Sequence, residues 1–318
     1  MKRFVPSLLA VVLSAAPALA QFPDRPPRIV VGQAAGGSSD VIARMVADAI
    51  SAGMGQRVLV ENRPGVNGAI GAEFVARGAA DGYTAFQCPM STLSITAQLP
   101  GSGIMDVGAE LVPVSNVALS SYGLAVAASG PYRSVADILA GARARPGAVT
   151  FGSPGPGSAQ HLSGELMNRL GEVNMQHVPY RGAAPAVVDL IAGRIDFMMT
   201  NLGDTAGQVR DGSLRLLAQG DPSRFPLFPD LPRIAETLPG FDVTGWFGFC
   251  LPRATPVAVI TRWDEAIRAA MHSEPFQQRL AAAGFSPFYE GPEAFATRLA
   301  ADRAKWLDVI RAANLRAQ

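Results

Sequence analysis

The 318-residue chain carries only two cysteines, three histidines and two lysines, Lys2 and Lys305. Chemistry built on a Schiff-base or phosphate-loop lysine therefore has almost no candidate. Its 27 basic residues balance 26 acidic ones, and a net charge of +1 gives no footprint for nucleic acid or an anionic membrane. Charged residues make up 17% of the chain against about 25% in average domains, while hydrophobic ones reach 48%, so disorder is excluded. Beyond residue 20, every apolar run is broken by Arg, Asp, Gly or Pro before the ~20 residues that a membrane span requires. There is no G-x-S-x-G, H-E-x-x-H, Walker loop or C-x-x-C. His161, His177 and His272 lie far apart and spell out no metal site, and no cofactor is expected. Cys88 and Cys250 both sit in apolar runs, which leaves open a disulfide or two buried thiols.

The N-terminus reads as a leader. Lys2 and Arg3 precede an apolar run from Val5 to Leu19, and Ala18-Leu19-Ala20 is a small-x-small cleavage site. A secretory signal over 1–20 is expected. The cut would expose Gln21 rather than a lipid-anchoring cysteine, so the mature chain is expected to be exported and free of an anchor.

What is abundant is glycine and proline, 33 and 25 residues, and they punctuate alternating strands and helices. At roughly 100–200 residues per domain the length suggests two domains. Strands are expected at 28–31, 57–60 and 83–87, with helices from Val41 to Ile50, capped by Ser39 or Asp40, and from Ala72 to Arg77. Leu111 to Ala127 is a long apolar stretch suited to crossing between units. A second series follows: helix 135–144, strand 149–152, helix 159–170, strand 177–180, helix 185–192, and strands 195–199 and 214–218. Phe295, Leu299, Trp306 and Ile310 form a helical stripe expected to be core. The alternation predicts an α/β fold, each unit a mostly parallel sheet flanked by helices.

Two glycine-rich loops follow a strand and open a helix: Gly36-Gly37-Ser38-Ser39-Asp40 and Ser153-Pro154-Gly155-Pro156-Gly157-Ser158. Glycine lets backbone N–H groups approach a ligand, and a helix N-terminus adds unpaired donors. Ser38, Ser39, Ser153 and Ser158 supply hydroxyls. Asp40 is expected to brace its loop, because its carboxylate would repel an anion. Two such loops on two units read as paired anion receptors facing one cleft. The competing reading is an exported hydrolase with Ser158 as nucleophile and His161 as base, although no nucleophile motif supports it.

These residues also carry a resemblance. R-I-V-V at Arg28 with G-G-S-S-D ending at Asp40, V-E-N-R-P-G-V-N-G-A-I-G from Val60 and D-G-Y-T from Asp81 resemble the Bug family of solute-binding proteins of tripartite tricarboxylate transporters. So do F-G-S-P-G-P-G-S-A-Q-H-L-S-G-E-L from Phe151, H-V-P-Y-R-G-A-A-P-A from His177, D-L-I-A-G-R-I-D-F from Asp189, F-P-D-L-P from Phe228 and G-W-F-G from Gly245. The resemblance implies a two-lobed Venus-flytrap fold, with lobe I at 21–118 and 221–318 and lobe II at 119–220. It implies a periplasmic, monomeric, non-enzymatic protein that holds a small organic carboxylate for membrane permease subunits, or alternatively reports it to a sensor protein. Carried over, the binding set is Gln33, Gly36, Gly37, Ser38, Ser39, Asp40, Ser91, Ser153, Gly155, Gly157, Ser158, His161, Ala183, Ala184, Thr200 and Asn201. Gly32-Gln33 replaces a usual Pro-aromatic pair, Cys88-Pro89-Met90 a Gly-Thr-Thr-like stretch, Thr96-Ala97 an Asn-Pro, and Thr200 a frequent Asp.

Overall fold

A computed structural model describes residues 22–316 except 102, 222–223 and 225–227. The expected leader, 1–20, lies outside the described residues. In chain order the elements begin with β1 (Arg28–Val31), α1 (Ser38–Met54), β2 (Leu59–Asn62), α2 (Ala69–Ala76) and β3 (Thr84–Pro89). Irregular helical turns at Ser91–Ile95 and Thr96–Gln98 lead to α3 (Val107–Glu110) and β4 (Leu111–Ala127). Next come α4 (Val135–Ala144), β5 (Thr150–Ser153), α5 (Ala159–Gly171), β6 (Gln176–Pro179), α6 (Ala183–Ile191), β7 (Phe197–Asn201), α7 (Ala206–Arg210) and β8 (Leu214–Gln219). The chain closes with β9 (Thr244–Pro252), α8 (Val257–Met271), α9 (Glu274–Ala282), β10 (Ser286–Glu290) and α10 (Pro292–Ala312).

The strands form one curled mixed sheet, ordered β2-β1-β3-β9-β4-β7-β5-β6, with β8 and β10 also paired to β4. The strand–helix alternation accounts for its parallel parts, β2-β1-β3 on one side and β6-β5-β7 on the other. Between them β9, β4, β8 and β10 pair antiparallel, so each half is mixed. The run at Leu111–Ala127 is one 17-residue strand, long enough to traverse about 55 Å. It is buried on both faces almost throughout, as its near-continuous apolar sequence requires. It pairs with β9 up to Ser121 and with β7 from Tyr122, which divides the sheet into two halves.

Cys88 and Cys250 are bonded, which settles the alternative left open by the sequence. The bond ties neighbouring strands β3 and β9, whose register aligns Phe86 with Cys250. Asp221, buried just after β8, accepts hydrogen bonds from Ser121 Oγ on β4 and from Thr244 Oγ1 at the start of β9, the latter at 2.9 Å. One carboxylate thus ties β4, where it passes between the halves, to the start of β9. One apolar core continues across both halves beneath α2, α5 and α10, and includes Phe295, Leu299, Trp306 and Ile310 as expected. A second core lies under α1, α8 and α9, and a third under α6.

Candidate functional site

Ligands of open α/β sheets bind outside the carboxyl ends of parallel strands. Here the loops leaving those ends belong to both halves. The first follows β1. Its backbone approaches the turn before α2 so closely that a Cβ on Gly32 would stand 2.5 Å from Gly68 Cα. Helix α1 then starts with Gly37 as its N-cap, in extended backbone and with no side-chain cap. This corrects the expected cap at Ser39 or Asp40, which both lie inside the first turn, buried.

Asp40 ties the loop down. It accepts from the Gly36 N–H (2.9 Å) and Asn62 Nδ2 (2.9 Å), and pairs with Arg44 (2.9 Å). Burial alone would raise its pKa, but Arg44, the Gly36 N–H and Asn62 together hold it below the ordinary value. Asn62 also donates to the Gln33 carbonyl, so Asp40 braces the loop as expected. Gln33 is half-buried; its Nε2 lies 3.5 Å from Thr92 Oγ1 and its buried Oε1 has no protein partner. Gly36 and Gly37 are exposed, and Ser38 and Ser91 are half-buried.

The second loop follows β5 and closes on itself. Ser153 Oγ, fully buried, accepts from the Gly155 N–H (3.1 Å), and Ser158 Oγ donates to the Gly155 carbonyl (2.8 Å). Ser158 is the N-cap of α5 and accepts from the His161 N–H (3.2 Å). The imidazole of His161 instead receives the Gly157 N–H on Nδ1 (3.1 Å). Its ring stacks on His177 at 3.8 Å between centroids, and His177 Nε2 reaches Ser153 Oγ at 2.7 Å. Burial pushes His161 down to about 4; burial and its neighbour push His177 down to about 3. Two neutral imidazoles therefore support the loop from below. The Ser158–His161 nucleophile–base pair of the hydrolase reading is not formed, since the ring faces Gly157 and the hydroxyl faces the backbone.

The other expected site segments lie at α6 and β7. Ala183 and Ala184 open α6, whose N-cap, Gly182, has no side-chain cap. Thr200 is buried and bonds within its own strand, to the Asn201 carbonyl (3.3 Å). Asn201 Oδ1 accepts from Ser120 Oγ on β4 (2.7 Å). Trp246 and Phe247 pack inside the core, Trp246 edge-on to Phe295, rather than lining the loops.

On the side of the first half, the halves meet through residues outside the expected binding set. Asn67 Nδ2 donates to the Pro156 carbonyl (2.9 Å), and Thr96 Oγ1 lies 3.4 Å from the Gly157 carbonyl. Leu99 packs on Gly157 so tightly that a Cβ there would come within 2.1 Å of it. Asn67, Thr92, Thr96 and His177 were absent from the expected binding set, although Asn67 and His177 lie within the quoted motifs and Thr96 stands at one of the noted departures. Only Asn67 carried a local signal, an asparagine directly before a glycine, which favours left-handed backbone. Among the described residues no group of three or more His, Cys, Asp or Glu side chains could hold a metal, and no helix is long and apolar enough to cross a membrane.

Two α/β halves, joined by the long strand β4 and meeting at the carboxyl ends of their parallel strands, define a two-lobed binding protein. Residues 42–315 match the tripartite tricarboxylate transporter family receptor, TctC, and the chain belongs to this family. It is 34% identical to BugT of Bordetella pertussis over 292 residues, covering 91% of this chain and 90% of BugT. It is similar to an R. palustris protein solved with adipate (TM-score 0.85, 32% identity, 93% of this chain and 99% of that one). It also resembles MatC from Rhodopseudomonas palustris, solved with bound malate (TM-score 0.80, 26% identity, 91% and 100%).

Proposed function

We propose that the chain is an exported, periplasmic solute-binding protein. In this reading it captures a small dicarboxylate between its lobes and delivers it to the membrane subunits of a tripartite tricarboxylate transporter. The lobes divide within β4 and again between Asp221 and Thr244. The observation that carries the reading is the contact of the second glycine-rich loop with the turn before α2, Asn67 to Pro156, beside the first loop where Gly32 abuts Gly68. Relatives of similar fold solved with adipate and with malate supply the ligand class.

Anion binding here needs no basic patch. Backbone N–H groups of the first loop and the uncapped N-termini of α1 and α6 supply donors and a partial positive charge. Each lobe gives part of the hydrogen bonds, so only the closed form makes them all, and the solute draws the population toward closure. The cystine linking β3 and β9 suits an oxidising compartment, in keeping with removal of a leader over 1–20.

A thermal-shift screen of the mature chain against four- to six-carbon dicarboxylates and their diamides tests the reading. Dicarboxylates are expected to raise the melting temperature and diamides to leave it unchanged. Stabilisation by the neutral compounds alone would contradict it.

A further inference from the structure

The turn between β2 and α2 has four successive residues at positive φ: Gly65 (+141°), Val66 (+46°), Asn67 (+49°) and Gly68 (+91°). Glycine accepts this readily and asparagine tolerates it, but a β-branched valine there is strained. Such strain persists only where the surroundings over-determine the backbone. Three contacts do so here. Thr92 Oγ1 donates to the Asn67 carbonyl (2.7 Å). Gly68 abuts Gly32, and a Cβ on Gly68 would stand 2.7 Å from both Gln33 Nε2 and Thr92 Oγ1. The third contact is Asn67 Nδ2 to the Pro156 carbonyl, in the other half. A chain of polar contacts thus runs from Gln33 in the first loop through Thr92 and Asn67 to Pro156 in the second.

We propose that Asn67 is a latch. It is a positioning residue that holds the loop 153–158 against the other lobe in the closed form, and it sets how long a bound carboxylate is retained. The proposal rests on the carboxylate reading above. Opening the lobes must break the Asn67–Pro156 bond, whereas the contacts of Thr92 and Gly68 stay within one half. The strained turn presents the carboxamide at the height the second loop requires. Its backbone is fixed by its own half, so little ordering remains to be done on closure.

Two variants of the full chain test this. Asn67→Gly removes the donor and suits the left-handed backbone; Asn67→Asp keeps the size but offers the Pro156 carbonyl only acceptors. Both are expected to weaken adipate binding about threefold to tenfold through faster dissociation. The ligand-free melting temperature of Asn67→Gly should not fall. Spin labels at Leu59→Cys and Val188→Cys, exposed sites on the two halves, should report longer distances in ligand-free Asn67→Gly than in the parent. Unchanged adipate dissociation together with unchanged distances in Asn67→Gly would overturn the proposal, as would a loss of affinity that merely tracks a lower melting temperature. If the parent takes up no adipate but Asn67→Gly still widens the distance, the latch stands and the carboxylate reading falls.

Discussion

At the residue scale the site is governed by groups that are neutral or neutralised. His161 and His177 lie under the second loop and hold it through Gly157 and Ser153. The unfolded chain takes up protons on these rings near pH 6.5, while the folded chain refuses them until about 4 and about 3. Their contribution to stability is therefore complete above pH 6.5 and lost as pH falls toward 4. Glu165 faces the His161 ring at 3.8 Å and is itself held above its usual range by burial. His161→Gln keeps an acceptor for the Gly157 N–H and removes one titration. In urea melts at pH 7 and pH 5 it should lose less stability on acidification than the parent. His161→Leu strands a buried N–H and should cost about 1–3 kcal/mol at pH 7. Equal acid sensitivity in His161→Gln and the parent would contradict this account. Serine before an apolar-periodic helix is a local cap signal, yet the loop's glycines present Ser158 as a ligand hydroxyl rather than as the cap it is. The imidazole stack was not legible, because it joins residues 16 positions apart on a helix and a strand whose packing no local pattern reveals.

At the scale of elements, β4 shows what a sequence does and does not disclose. Its apolar run announced a long crossing segment, and the strand–turn–helix units after β1 and β5 were plain from glycine and helical periodicity. The antiparallel strands β9 and β10 were not. Their partners on β4 lie well over a hundred residues away, and such pairings leave no local trace. The same holds for Asp221, whose neighbours Ser121 and Thr244 come from two different strands. Burial, reinforced slightly by Asp242, raises Asp221 to about 6 despite those two hydroxyl donors. Between about pH 3.8 and 6 the folded chain binds the proton that the unfolded chain has released, so stability from this group falls as pH rises, by about 3 kcal/mol in all. Asp221→Asn should remove that slope: in denaturation curves at pH 4.5 and 7 the variant should escape about 2 kcal/mol of the parent's loss, with the gain at pH 7. An unchanged pH profile would show that the carboxylate is not buried between β4 and β9.

At the scale of the whole molecule, the near-zero charge and the glycine content have one explanation. In the proposed reading a cleft lined by backbone donors binds an anion without clustered lysines; Gly32 and Gly68 stand where backbone approaches backbone. The two loops were readable separately; the contact of the second with Asn67, Thr96 and Leu99 of the other half depends on how the halves fold back on each other. The central claim is that a dicarboxylate is captured between those halves. Isothermal titration calorimetry of the mature chain with adipate and with adipamide tests it most directly. The account predicts one adipate bound per chain and no measurable heat with the diamide, whereas equal binding of both, or of the diamide alone, would contradict it.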